Sequence, residues 1–116
     1  MSIVTIYHNP RCSKSRATLA LLEERGITPE VVFYLEDVPD AVKLKDIIGK
    51  LGISARELLR KGEEAYKEMG LKDESLGDDE IIEAMTKAPI LIERPIVVTD
   101  KGARIGRPPE QVIEVL

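Results

Sequence analysis

The only cysteine and the only histidine of this 116-residue chain stand four positions apart, in "YHNPRCSKSR" (7–16). Cys12 follows Pro10 and is surrounded by Arg11, Lys14 and Arg16, with no apolar run beside it. A cysteine kept for packing sits among apolar neighbours. This setting suits a reactive thiol. The thiolate is the nucleophile, and a thiol of pKa ~8.5 is only ~3% ionised at pH 7. Backbone N–H groups at the start of a helix, together with nearby cations, favour the anion. A pKa lowered by two units would stabilise the thiolate by about 2.7 kcal/mol. The same N–H groups could cradle an oxyanion beside the sulfur. His8 could polarise the sulfur's surroundings or hydrogen-bond the loop backbone and fix its shape; because it precedes Pro10 instead of lying on the helix, the second, a residue behind the thiol, is the expected role.

The spacing narrows the chemistry. "CSKS" is C-x-x-S, with Ser15 at the position where a dithiol redox protein carries its resolving cysteine. One thiol can begin a redox reaction but needs an outside thiol, glutathione or a dithiol protein, to complete it. The phosphatase pattern C-x5-R is not met, because Thr18 stands where the arginine belongs. One His and one Cys cannot build a tetrahedral metal cage, so no metal is expected.

The elements that must position this loop follow from the apolar pattern. "IVTIY" (3–7) and "EVVFYL" (30–35) read as strands, and "SKSRATLALLEERG" between them reads as a helix with Ser13 as cap and Gly26 as stop. Strand, helix, strand is the pattern of a parallel pair. In "PDAVKLKDIIGKLG", Leu44, Ile47, Ile48 and Leu51 fall on one helical face. "SARE" (54–57) reads as a capping box opening a further helix, and "DDEIIEAMTKA" (78–88) as a helix with an acidic first turn. The end, "PIVVT", "DKGA", "RIG" and "PPEQVIEVL", reads as a hairpin and a closing helix with prolines in its first turn. The expected fold is therefore α/β and thioredoxin-like, a mixed sheet flanked by helices, in a single domain over 1–116 with a helical insertion at about 39–88.

Composition sets bounds. The length allows burial of roughly two thirds of the unfolded surface, and a hydrophobic fraction of 43% supports a real core. With one Phe, three Tyr and no Trp, that core must be mostly Leu, Ile and Val. The 17 basic and 21 acidic residues are mixed along the chain and give a net charge of -4, so no polybasic run grips nucleic acid or a membrane. No signal-peptide pattern and no apolar stretch of ~20 residues occur, and a lone cysteine suits a reducing compartment. The chain is expected to be cytoplasmic and monomeric.

"YHNPRCSKSR", "LLRK" (58–61), "ERPIVVT" (93–99) and "GRPPE" (106–110) together resemble the glutaredoxin-dependent arsenate reductase family, in order and over the whole chain. Lys14 departs from the smaller uncharged residues of the well-studied members. The resemblance implies that Cys12 is the nucleophile toward arsenate or a similar oxyanion, with Arg60, Arg94 and Arg107 binding that oxyanion. It also implies glutathione as co-substrate, glutaredoxin as partner and no bound cofactor. Guanidinium groups bind tetrahedral oxyanions bidentately and stay charged. Arg94 and Arg107 each precede a proline, which restrains the backbone that carries them. The Arg94–Pro95 bond is expected to be cis, because thioredoxin-like folds set a cis-proline facing the thiol. Two other readings share the resemblance. One is a thiol-dependent regulator binding RNA polymerase, which Ser15 disfavours by removing the internal disulfide; the other is a glutathione-linked oxidoreductase with another substrate.

Overall fold

The computed structural model describes residues 3–116, which divide into two compact units, one of residues up to Asp37 with Arg94–Leu116, and the other Val38–Glu93. The first unit carries a four-stranded sheet in the order β2-β1-β3-β4, formed by β1 (Thr5–Tyr7), β2 (Glu30–Val32), β3 (Ile96–Thr99) and β4 (Gly102–Ile105). β1 pairs parallel with β2 and antiparallel with β3, and β3 pairs antiparallel with β4. The sheet is mixed, and the fold is α/β and thioredoxin-like.

Register follows burial. Ile6 lies opposite Val31 on one side and Val97 on the other. Ile6 and Val97 are fully buried with Leu22 of α1 (Ser13–Glu24) and with Val112 and Val115. These β-branched and leucyl side chains make the aliphatic core that the composition required. The C-terminal segment is fastened to the sheet by Thr99, whose buried Oγ1 donates to the Val115 carbonyl at 2.6 Å.

Several boundaries differ from the sequence expectation. β2 stops at Val32, because the amides of Glu36 and Asp37 both donate to the Phe33 carbonyl (3.0 and 2.8 Å) and bend the chain. Ile3 and Val4 precede the β1 ladder, and Ile3 is exposed. Cys12, not Ser13, occupies the N-cap of α1, with extended backbone (φ -92, ψ 123). The closing segment Pro109–Val115 is a 3-10 helix. Its amides bond three residues back, as Gln111 does to Pro108 (3.0 Å), and proline supplies no N–H to convert the first turn to α.

The second unit, which contains the stretch expected as the insertion, is helical: α2 (Ala41–Leu51), α3 (Glu64–Glu68) and α4 (Asp78–Lys87). Asp40 caps α2 by accepting the Lys43 amide at 2.8 Å, and Gly52 ends it in the left-handed region (φ 71). Leu44, Ile47 and Ile48 are buried as the 3.6-residue period requires, and α2 packs on α4, whose inner face is Ile81, Ile82, Ala84 and Met85. The capping box at "SARE" forms, with Ser54 and Glu57 bonding reciprocally, but it opens only a 3-10 turn at Arg56–Leu58. Leu59 then turns extended to bridge Ile92, so the chain leaves helix to make a short antiparallel ladder.

Candidate active site

The loop after β1 is built from its own polar groups. The Asn9 carbonyl accepts the Cys12 amide (3.0 Å), and Asn9 Oδ1 accepts the Arg11 amide (3.0 Å). These two bonds fold Asn9–Cys12 into a tight turn that delivers the thiol to the helix start. Beneath it lies Ser15, fully buried on the first turn of α1. Its Oγ accepts the Asn9 amide at 3.0 Å and lies 2.7 Å from His8 Nδ1, which leaves the hydroxyl hydrogen for that nitrogen. In place of a resolving thiol, Ser15 supplies the fastener that ties strand end, loop and helix together. His8 is buried, and burial first, then the Arg16 guanidinium, pushes its pKa down. The imidazole is therefore neutral at neutral pH. It shapes the loop rather than supplying a charge.

The sulfur is half-buried at the N-cap. Burial pushes the Cys12 thiol up, but this is outweighed by the Ser15 and Lys14 backbone N–H groups and by the charges of Arg107 and Arg94, so its pKa is lowered. The Cys12 side chain closes no N-cap hydrogen bond of regular geometry, yet those two amides lie near enough to favour the thiolate. The cationic neighbours in sequence contribute differently from the expectation. Arg11, Lys14 and Arg16 are exposed, and Arg16 instead donates to the Pro10 carbonyl at 2.9 Å, bracing the loop.

The charges that act on the sulfur come from the far end of the chain. Arg107 Nη2 donates to Cys12 Sγ at 3.4 Å, while its Nε donates to the Arg94 carbonyl at 2.8 Å. One guanidinium thus spans the thiol and the loop before β3. Arg94 itself is buried at 6% exposure. The Arg94–Pro95 bond is cis as expected; the Arg107–Pro108 bond is also cis, which the sequence reading did not foresee. Gly106 lies between these two prolines' loops, its amide donating to the Pro95 carbonyl at 2.9 Å. A Cβ at Gly106 would strike Thr18 Oγ1 and come within 2.8 Å of Pro95 Cγ. Glycine is required here by close approach alone.

A thiol of lowered pKa, two guanidiniums and helix-start amides form a site suited to nucleophilic attack on an oxyanion. The ArsC family model matches residues 7–115, nearly the whole chain. The chain belongs to the ArsC family. It is 59% identical over 114 residues to the uncharacterized protein YfgD of Escherichia coli (strain K12), covering 97% of this chain and 96% of that protein. It is 51% identical over 117 residues to the arsenate reductase of Neisseria meningitidis serogroup A, covering 100% of both. Among solved structures it matches the arsenate reductase from Vibrio cholerae with a TM-score of 0.95 and 55% identity, over 97% of each chain.

The remaining arginine expected at the ArsC site, Arg60, lies in the Val38–Glu93 unit. Its Nη1 donates to Glu93 at 2.9 Å and its Nε to Glu63 at 3.2 Å. Burial lowers its pKa, but the two carboxylates outweigh that and raise it, so it stays charged. The short ladder sets this geometry: the Arg60 amide donates to the Leu91 carbonyl (2.8 Å) and the Glu93 amide to the Leu58 carbonyl (2.9 Å). Within the first unit, Cys12, His8, Ser15, Arg94 and Arg107 come together around one loop, and Pro95 lies against Gly106, the residue before Arg107. Sequence reasoning missed Asn9 and Gly106. Asn9 was legible in principle as a turn-former before proline, whereas Gly106 answers to Thr18, far away in sequence. Among the described residues, no helix is long and apolar enough to cross a membrane, and no cluster of ligating side chains could hold a metal ion.

Proposed function

We propose that this protein is an arsenate reductase in which Cys12 forms a covalent adduct with arsenic. The observation that carries the reading is the hydrogen bond from Arg107 Nη2 to Cys12 Sγ at 3.4 Å, at the N-cap of α1. The same guanidinium that stabilises the thiolate is of the kind that binds tetrahedral oxyanions such as arsenate. Arg94 adds a second charge close enough to lower the Cys12 pKa. Arg60 is assigned the third oxyanion-binding role through the family resemblance of "LLRK".

The chemistry then runs in four steps. The Cys12 thiolate attacks As(V) and displaces one hydroxide, which leaves as water after protonation. The thiol of glutathione adds to the same arsenic and displaces a second hydroxide, giving an arsenic atom held between two sulfurs. A glutaredoxin thiolate attacks the glutathione sulfur to form a mixed disulfide, and the S–As electron pair stays on arsenic, now As(III). Water then releases arsenite and restores Cys12. The two electrons come from the glutathione and glutaredoxin sulfurs, as a chain with one thiol and Ser15 at the C-x-x-S position requires. The protein is read as a cytoplasmic monomer with no bound cofactor. His8, Ser15 and Pro95 shape the site without bonding to arsenic.

The test is arsenite production from arsenate by purified protein with glutathione, glutaredoxin and a reducing system. Activity that is lost in Cys12→Ser supports the reading. Absence of turnover in the wild-type protein, or retention of activity in Cys12→Ser, refutes it.

A further inference from the structure

Arg60 stands between two carboxylates. Its Nε donates to Glu63 at 3.2 Å and its Nη1 to Glu93 at 2.9 Å, while Nη2 bonds to no described residue. One cation and two anions make a net negative group, so the two acids add nothing to the attraction for an oxyanion. Nor do they add much stability. The side chains of Arg60, Glu63 and Glu93 are exposed by 26%, 26% and 25%, and solvent screens pairs of this kind. What the two acids supply is direction.

Each acid reaches Arg60 from its own fixed element. Leu59 bridges Ile92, and the Arg60 and Glu93 amides bond across this short ladder on either side of the bridge, to the Leu91 and Leu58 carbonyls. Leu58, Leu59, Leu91 and Ile92 are all buried, which anchors both segments. Side chains alternate along extended backbone, so Arg60 and Glu93, each next to a bridged residue, share one face of the ladder. Glu63 comes from the turn that follows, whose amide donates to the Arg60 carbonyl at 3.4 Å. Glu63 is the N-cap of α3, yet its side chain makes no capping bond to that helix, and its carboxylate accepts from Arg60. A ladder and a turn thus grip two nitrogens of one guanidinium. An arginine whose planar fork is already held loses less rotamer freedom on meeting a ligand.

We infer that Glu63 and Glu93 are positioning residues for the oxyanion, acting through Arg60: they hold Nε and Nη1 so that Nη2 is presented as a single directed donor. The inference rests on the reading that Arg60 binds arsenate. It adds that this arginine gives one aimed hydrogen bond, where an unheld guanidinium would offer a two-pronged one.

Two measurements test it, and neither needs glutathione or glutaredoxin. Nitrogen relaxation at Arg60 Nε reads the grip itself. In the wild-type protein its order parameter should approach the ~0.85 of rigid backbone, and in Glu63→Ala or Glu93→Ala it should fall below ~0.6. Calorimetric titration with arsenate alone reads the consequence. Each alanine variant is expected to weaken binding about three- to fivefold, the measure of one partly exposed ion pair. Glu63→Gln and Glu93→Gln keep an acceptor at the same reach, so they should lie between wild type and alanine. None of the four should weaken binding further once Arg60→Ala has removed the guanidinium. Wild-type-like amide spectra verify that the variants fold, and the glutamine pair carries the test where an alanine variant does not. Tighter arsenate binding in either glutamate variant overturns the inference, because the carboxylates would then be rivals of the oxyanion. Equal weakening with and without Arg60 also overturns it, because the acids would then act through the fold. A mobile Arg60 Nε in wild type overturns it and leaves the proposed reduction cycle standing. Absence of arsenate turnover with these binding results intact sinks the cycle and leaves the inference standing.

Discussion

Gly106→Ala places a single methyl group where α1 and the loop before β3 meet. The new Cβ would overlap Thr18 Oγ1 and stand 2.8 Å from Pro95 Cγ and 3.3 Å from Thr18 Cγ2. None of these atoms is the free end of a flexible chain. Thr18 is fully buried, β-branched and bound through Oγ1 to the Lys14 carbonyl at 2.9 Å, and Pro95 is a closed ring. The backbone must give way, at the residue before Arg107. Overpacking of this kind costs about 1–3 kcal/mol. At this chain length that is a fall in Tm of about 4–12 °C. Thermal unfolding of wild type, Gly106→Ala, Thr18→Ala and the double variant measures it. Removing the Thr18 hydroxyl and methyl relieves two of the three close contacts, so the double variant should be more stable than the sum of the singles by about 0.5–1 kcal/mol. Thiol alkylation of Gly106→Ala at neutral pH should also slow, because the shift carries Arg107 away from Cys12. A Gly106→Ala variant within ~0.5 kcal/mol of wild type, or strict additivity with Thr18→Ala, refutes the close-approach reasoning.

Ser15→Ala leaves the buried Asn9 amide without its acceptor and His8 Nδ1 without its partner, so a loss of about 2 kcal/mol is expected in denaturant unfolding. His8 has a pKa below its unfolded value, so the unfolded chain binds the extra proton first. Stability from His8 is therefore complete above pH ~6.5 and declines as pH falls through the folded pKa. Replacing His8 by Asn should flatten that acid-side decline in Tm, and an unchanged slope would contradict it. Arg107→Ala removes a charge-assisted bond to the sulfur and a donor for the oxyanion. A fall of about 10- to 100-fold in kcat/KM for arsenate is expected from steady-state kinetics, given about 1.5–3 kcal/mol for such a bond. Glu93→Gln frees one side of Arg60, and a change in arsenate KM larger than that in kcat is expected if the carboxylate positions the guanidinium.

The fold was legible wherever one periodicity ruled. The parallel β1–β2 pair follows from apolar runs around a helix, and α2 from Leu44, Ile47, Ile48 and Leu51. Periodicity failed where a local hydrogen bond ended an element. Nothing in "EVVFYL" announces that the Phe33 carbonyl will take two amides and stop the strand. "SARE" carried a true capping box, but Leu59 found a better partner in Ile92 across the unit than in the next helical turn. The site was legible at Cys12 because charge and proline surround it. Which charges act on it was not, since the guanidiniums that favour the thiolate are those of Arg107, 95 positions away, and Arg94, while Arg11, Lys14 and Arg16 are exposed. Ser15 read as a missing cysteine and is also a buried anchor for the loop.

The most direct test of the whole account is the rate of Cys12 alkylation as a function of pH, in wild-type protein and in Arg107→Ala. The wild-type midpoint is expected below the ~8.5 of a free thiol, and raised in the variant while the fold is retained. A wild-type midpoint at or above that of a free cysteine, or one indifferent to the loss of Arg107, would contradict it.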